Sequence, residues 1–159
     1  MADLTRKPLR LLTGTALIAA LCGCASVPQA TPERDAEAKQ FITHPGFASV
    51  YIFRIDFGGN PPSNDPVVHV DGRLIGATIP RTYFRVDVLP GERLLHGFGY
   101  DQGSIKINVR PDEITFVSLD AMGGTSYFRQ VDPETGKREI LRCCSLMENW
   151  APGLRPLFR

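Results

Sequence analysis

The chain has 159 residues with 18 basic and 17 acidic side chains, so its formal net charge at neutral pH is +1. That balance excludes a nucleic-acid binder working by bulk electrostatics, and 43% apolar with 22% charged residues excludes both a disordered chain and a bundle of membrane spans. One hydrophobic core fits in a chain of this length and two do not.

Residues 1–23 read as a removable secretion signal. Arg6, Lys7 and Arg10 form a short basic stretch, followed by an apolar run over residues 11–23. As a helix that run would reach only about 20 Å at ~1.5 Å per residue, short of the ~30 Å hydrocarbon core, so it is a signal core and not a spanning helix. It ends in Leu21-Cys22-Gly23-Cys24, with an aliphatic residue three positions before Cys24 and small residues at the two positions between. This is the layout of a bacterial lipoprotein signal, in which the thiol of Cys24 takes a diacylglyceryl group and palmitate-type chains anchor the mature protein in a bilayer. Ala25, not Asp, follows Cys24. That favours the outer membrane of a Gram-negative envelope, facing the periplasm. Residues 24–40 are small, polar and Pro-containing and read as a flexible tether, with helical character near residues 33–40.

From Phe47 the pattern is strands between Gly, Pro and Asp, and the domain is expected over residues 41–149. In residues 50–57, Tyr51, Phe53, Ile55 and Phe57 point one way, Ile52, Arg54 and Asp56 the other. A Gly/Pro/Asn/Asp cluster at residues 58–66 breaks the chain. Asp71-Gly72 is the two-residue signal of a type I′ hairpin, pairing Val68 with Ile75 and His69 with Leu74. Phe84, Val86 and Val88 alternate against Tyr83, Arg85 and Asp87, and Leu89-Pro90-Gly91-Glu92 turns the chain into residues 93–100. Ile105, Ile107 and Val109 alternate against Ser104, Lys106, Asn108 and Arg110, whereas residues 113–120 are apolar on both faces, as in a central strand. Residues 126–131 and 138–143 read as a last hairpin across Asp132-Pro133-Glu134-Thr135-Gly136, and no long amphipathic helix is expected after Gln40. The fold class is all-β, an antiparallel sandwich or small barrel, with Phe53, Ile55, Val68, Ile75, Phe84, Val86, Ile105, Ile107 and Phe116 in its core. Residues 150–159, apolar, basic and Pro-broken, form a C-terminal tail that either packs on the domain or docks elsewhere.

The run from Val68 to Gly76 with Asp71-Gly72 at its centre, then Thr82-Tyr83-Phe84, then Leu89-Pro90-Gly91-Glu92-Arg93, resembles the core of domain-of-unknown-function family 2846. That family comprises bacterial lipoproteins similar to the PEGA-type small β-domains. The resemblance covers about residues 36–131, and Arg93 departs slightly from the His usual after the Pro-Gly turn. It implies a fold and an envelope address, and no chemistry.

The candidate sites are few. Cys143 and Cys144, with Cys22 cleaved and Cys24 acylated, are the thiols left in an oxidising compartment. A vicinal disulfide or a link to another chain is favoured over one buried and one exposed thiol. Tyr83, Arg85 and Asp87 form the candidate binding face, on the reading that they alternate outward. His44, His69 and His96 are too scattered for metal-ligand spacing, and residues 97–103 lack the strand-to-helix setting of a nucleotide loop. Ser63, Ser104 and Ser126 have no nucleophile-elbow context, and the turn carboxylates of Asp112, Glu113, Asp132 and Glu134 are expected to face water. No cofactor, metal or nucleic-acid partner is expected. The sequence reading is a non-enzymatic envelope lipoprotein that binds a protein or peptidoglycan partner, the alternative being a small hydrolase whose site assembles only on folding.

Overall fold

The computed structural model describes residues 28–55, 66–97, 103–122 and 125–149. The readings made at Cys24, the signal, all but the last residue of the 58–66 breaker, and the 150–159 tail lie outside those residues.

Two sheets and two helices form three layers. Among the described residues the larger sheet has five strands and the smaller four. β1 (Ala48–Arg54) is central in the larger sheet, antiparallel to β4 (Thr82–Val88) and parallel to β7 (Ile114–Met122). β8 (Thr125–Val131) pairs antiparallel with β7, and the two-residue β9 (Ser145–Leu146) lies parallel to β4, so this sheet is mixed. The smaller sheet is wholly antiparallel, built from β2 (Val67–Val70), β3 (Arg73–Ala77), β5 (Gly91–His96) and β6 (Ser104–Val109). The architecture is an all-β sandwich, and among the described residues the sheets do not close into a barrel.

The main core lies between the sheets. Val50, Ile52, Phe84, Val86, Val117 and Leu119 of the larger sheet meet Val68, Val70, Ile75, Leu95 and Ile107 of the smaller. A second apolar layer covers the opposite face of the larger sheet, where Tyr51, Phe53, Tyr83 and Phe116 pack under Ala38 of α1 (Pro32–Ala38) and Ile140 of α2 (Pro133–Cys143). Both faces of β1 are therefore buried along its whole length. Of the nine residues expected in the core, Ile55 and Ile105 are half-buried at its margins and the other seven are buried.

Three expectations change. Residues 28–40 are not a tether, because Gln29 bridges to Met147, the Ala30 amide donates to the Leu146 carbonyl at 2.9 Å, and α1 packs on the sheet. Residues 138–143 form the second half of α2, not a strand. Asp132 caps α2 by accepting from the Thr135 amide at 2.9 Å, and Pro133 sits in its first turn, where a missing N–H costs nothing. The same Asp-Pro-Glu that signals a turn is thus a helix start. In the β2–β3 hairpin His69 does face Leu74, but a bulge after Val68 pairs it with Gly76 in place of Ile75.

The turns follow their residues closely. Asp71 and Gly72 have φ of 51° and 75°, as a type I′ turn requires. Arg93 then locks this turn to the Pro90-Gly91 turn: its guanidinium donates to the Leu89 and Pro90 carbonyls at 2.9 and 3.0 Å and to Asp71 Oδ2 at 2.9 Å.

Candidate functional site

The stripe of Tyr83, Arg85 and Asp87 is not an exposed face. Tyr83 is fully buried, and the side chains of Arg85 and Asp87 are only 14% and 12% exposed. The stripe lies on the helix-covered side of the larger sheet, and its polar atoms hold that cover in place. Tyr83 Oη donates to Asp35 Oδ1 at 3.0 Å; Asp35 also accepts from the Leu146 amide at 2.9 Å and from Lys39 Nζ at 2.7 Å. Tyr51 Oη donates to the Ala38 carbonyl at 2.7 Å. Arg85 donates to Asp87 at 3.1 Å and to the Ile42 carbonyl at 2.9 Å, while the Ser49 hydroxyl donates to Asp87 at 2.5 Å. Burial pushes the Tyr51 phenol up to about 12. Burial raises Tyr83 further, reinforced by the Asp35 carboxylate, so neither phenol ionises at neutral pH. These groups clasp α1 and the segment after it to the sheet. The sequence called the face outward because alternation assigns a side, not what covers it.

Cys143 and Cys144 are joined as a vicinal disulfide. They sit where α2 gives way to extended chain, not at the end of a last strand as the sequence suggested, with Cys144 buried between α2 and the end of β1.

The open surface is the outer face of the four-stranded sheet. His69, Leu74, Leu94, His96 and Lys106 lie on it, Leu74 and Leu94 are exposed large apolar side chains, and Glu92 pairs with Lys106 at 2.9 Å at its rim. No described element packs over this face. At its centre β2 and β5 bring His69 directly opposite His96, with rings stacked at 4.7 Å between centroids and 5° between planes. Burial lowers the His69 pKa, and the neighbouring His96 lowers it further. Sequence reasoning dismissed these histidines as scattered. Each is mid-strand and outward in period-two register, but nothing local says that β2 pairs with β5. Among the described residues, no group of three or more His, Cys, Asp or Glu side chains is gathered for a metal ion.

Fold and surface define a β-sandwich domain in which helices cover the centre of one sheet and no described element covers the outer face of the other. The chain is similar to an uncharacterised protein of Haemophilus influenzae, strain ATCC 51907 / DSM 11121 / KW20 / Rd, at 27% identity over 135 residues, covering 81% of this chain and 78% of that protein. No family model matches the chain, and no solved structure matches it.

Proposed function

We propose that this protein is a non-enzymatic lipoprotein of the cell envelope, anchored through Cys24, whose open four-stranded sheet binds a protein or cell-wall partner. The observation that carries the reading is the inequality of the two outer sheet faces. One is covered over β1 and β4 by α1, α2 and the Asp35–Tyr83 and Arg85–Asp87 contacts, with Tyr127 exposed only on its outlying strand β8, whereas no described element covers Leu74 and Leu94 beside two imidazoles on the other. The lipoprotein signal and the resemblance to family 2846 support the envelope address. The folded domain already includes Pro28, so the covalent reach from Cys24 is four residues, at most about 14 Å. An acylated Cys24 would hold the domain close to the bilayer.

The test has two arms. Fatty-acid labelling should mark the parent and not Cys24→Ser; equal labelling rejects the anchor. A photocrosslinker placed at Leu94 in cells should trap one envelope protein, or sacculi should co-sediment with the purified chain, and Leu74→Glu should abolish the contact. Trapping or sedimentation unchanged by Leu74→Glu rejects the sheet face as the binding surface.

A further inference from the structure

The two ends of the described chain leave the domain side by side. Gln29 bridges to Met147, the Ala30 amide donates to the Leu146 carbonyl at 2.9 Å, and the Glu148 amide donates to the Pro28 carbonyl at 3.0 Å. Both exits sit at the β9 edge of the larger sheet, and neither is on the open face of the smaller one. Cys24 stands four residues before Pro28 and Trp150 two residues after Glu148, reaches of at most about 14 Å and about 7 Å. A surface that holds Cys24 therefore lies within reach of residues 150–159. Their composition suits one kind of surface. Trp150, Leu154, Leu157 and Phe158 are apolar, Arg155 and Arg159 are basic, and no residue of the segment is acidic. Tryptophan favours the headgroup level of a bilayer, and arginine is drawn to anionic headgroups while its stem lies along apolar surface. The domain competes poorly for these arginines: the acid at the exit, Glu148, already pairs with Arg34, and on the open face Glu92 pairs with Lys106.

We propose that residues 150–159 bind the headgroup region of an anionic phospholipid bilayer beside the lipid on Cys24, so that the domain is held at its β9 edge by two adjacent attachments. The proposal rests on the Cys24 anchor for proximity and on the segment itself for chemistry. No charged residue lies between Cys24 and Pro28, so the chain leading to the lipid does not repel the same headgroups. An inserted lipid gives the segment a high local concentration of headgroups, and a contact too weak to hold a free chain is then engaged. A domain on a single lipid tether swivels. A second contact next to the tether fixes which edge of the sandwich faces the membrane.

Trp150 is the single tryptophan of the chain, so its fluorescence reads this segment alone. In vesicles of phosphatidylethanolamine and phosphatidylglycerol, Trp150 of the acylated chain should be quenched by brominated lipid. The mature chain without its lipid, beginning at Ala25 and keeping every described residue, should need at least about tenfold more lipid for the same quenching. Arg155→Glu combined with Arg159→Glu should raise the requirement of that unacylated chain at least about tenfold further, and vesicles of phosphatidylcholine alone should do the same. Unquenched Trp150 in acylated chain that floats with the vesicles overturns the proposal, and a blue-shifted emission in that case places the segment on the domain instead. Quenching indifferent to both arginines and to phosphatidylglycerol overturns it too. Intact mass and flotation read the anchor separately. If the parent carries no acyl mass, quenching of the unacylated chain at high lipid still supports the membrane contact, and its absence there rejects it.

Discussion

At Gly136 a single hydrogen atom decides how closely α2 approaches the sheet. A Cβ built there would lie 2.2 Å from Phe116 Cγ and 2.5 Å from its Cβ and Cδ1, inside any tolerated contact. Phe116 cannot easily retreat, because its ring is held against Phe41 and Tyr51 at 5.8 and 5.4 Å between centroids. Phe41 takes a left-handed conformation, φ 54°, that brings its ring into this cluster. Gly→Ala inside a helix ordinarily stabilises by about 1 kcal/mol. Gly136→Ala is expected to do the reverse, destabilising by about 1–3 kcal/mol through overpacking. The urea midpoint should fall with little change in slope, and Phe116→Leu in the same chain should recover part of the loss. A rise in midpoint would mean that α2 does not rest on Phe116.

Among the elements, α2 and β9 form one continuous device with the Cys143–Cys144 bond at the joint. Beyond it, the Ser145 amide donates to the Arg81 carbonyl at 3.1 Å and the Met147 amide to the Tyr83 carbonyl at 2.8 Å, so β9 begins at once. Helix and strand are also held by Ile140 and Leu146 in the apolar layer. The purified chain should therefore take up no alkylating reagent at Cys143 or Cys144 without reductant, and two groups after reduction and unfolding. Its intact mass before reduction should be about 2 Da below that of the dithiol. Alkylation of both residues in the native, unreduced chain would count against the bond.

For the whole molecule, the consequential contact is between the two ends of the described chain. Gln29 bridges to Met147, the Glu148 amide donates to the Pro28 carbonyl at 3.0 Å, and Arg34 pairs with Glu148. α1 is thereby placed over Tyr51 and Tyr83, whose hydroxyls use Ala38 and Asp35 as acceptors. Deleting residues 28–40 would expose two buried tyrosines and remove both acceptors, at a cost of at least about 3 kcal/mol. The shortened chain should melt well below the full one by near-ultraviolet circular dichroism. Equal melting would restore the reading of this stretch as a tether.

Strands and turns set by short-range rules were legible in the residues alone. Period-two alternation marked β4, β6 and both faces of β7, and Asp71-Gly72 marked its hairpin, because pleat and turn geometry depend on neighbouring residues alone. Tertiary structure decided what each face meets. Tyr83, Arg85 and Asp87 share a side, as their spacing says, but whether that side meets water or α1 depends on a segment some fifty residues away in the chain. Asp132-Pro133-Glu134 serves a turn or a helix start equally well, and the Gly136–Phe116 approach selects the helix. His69 and His96 become a pair only through the register of β2 on β5, a non-local hydrogen-bond pattern that no local run of residues encodes.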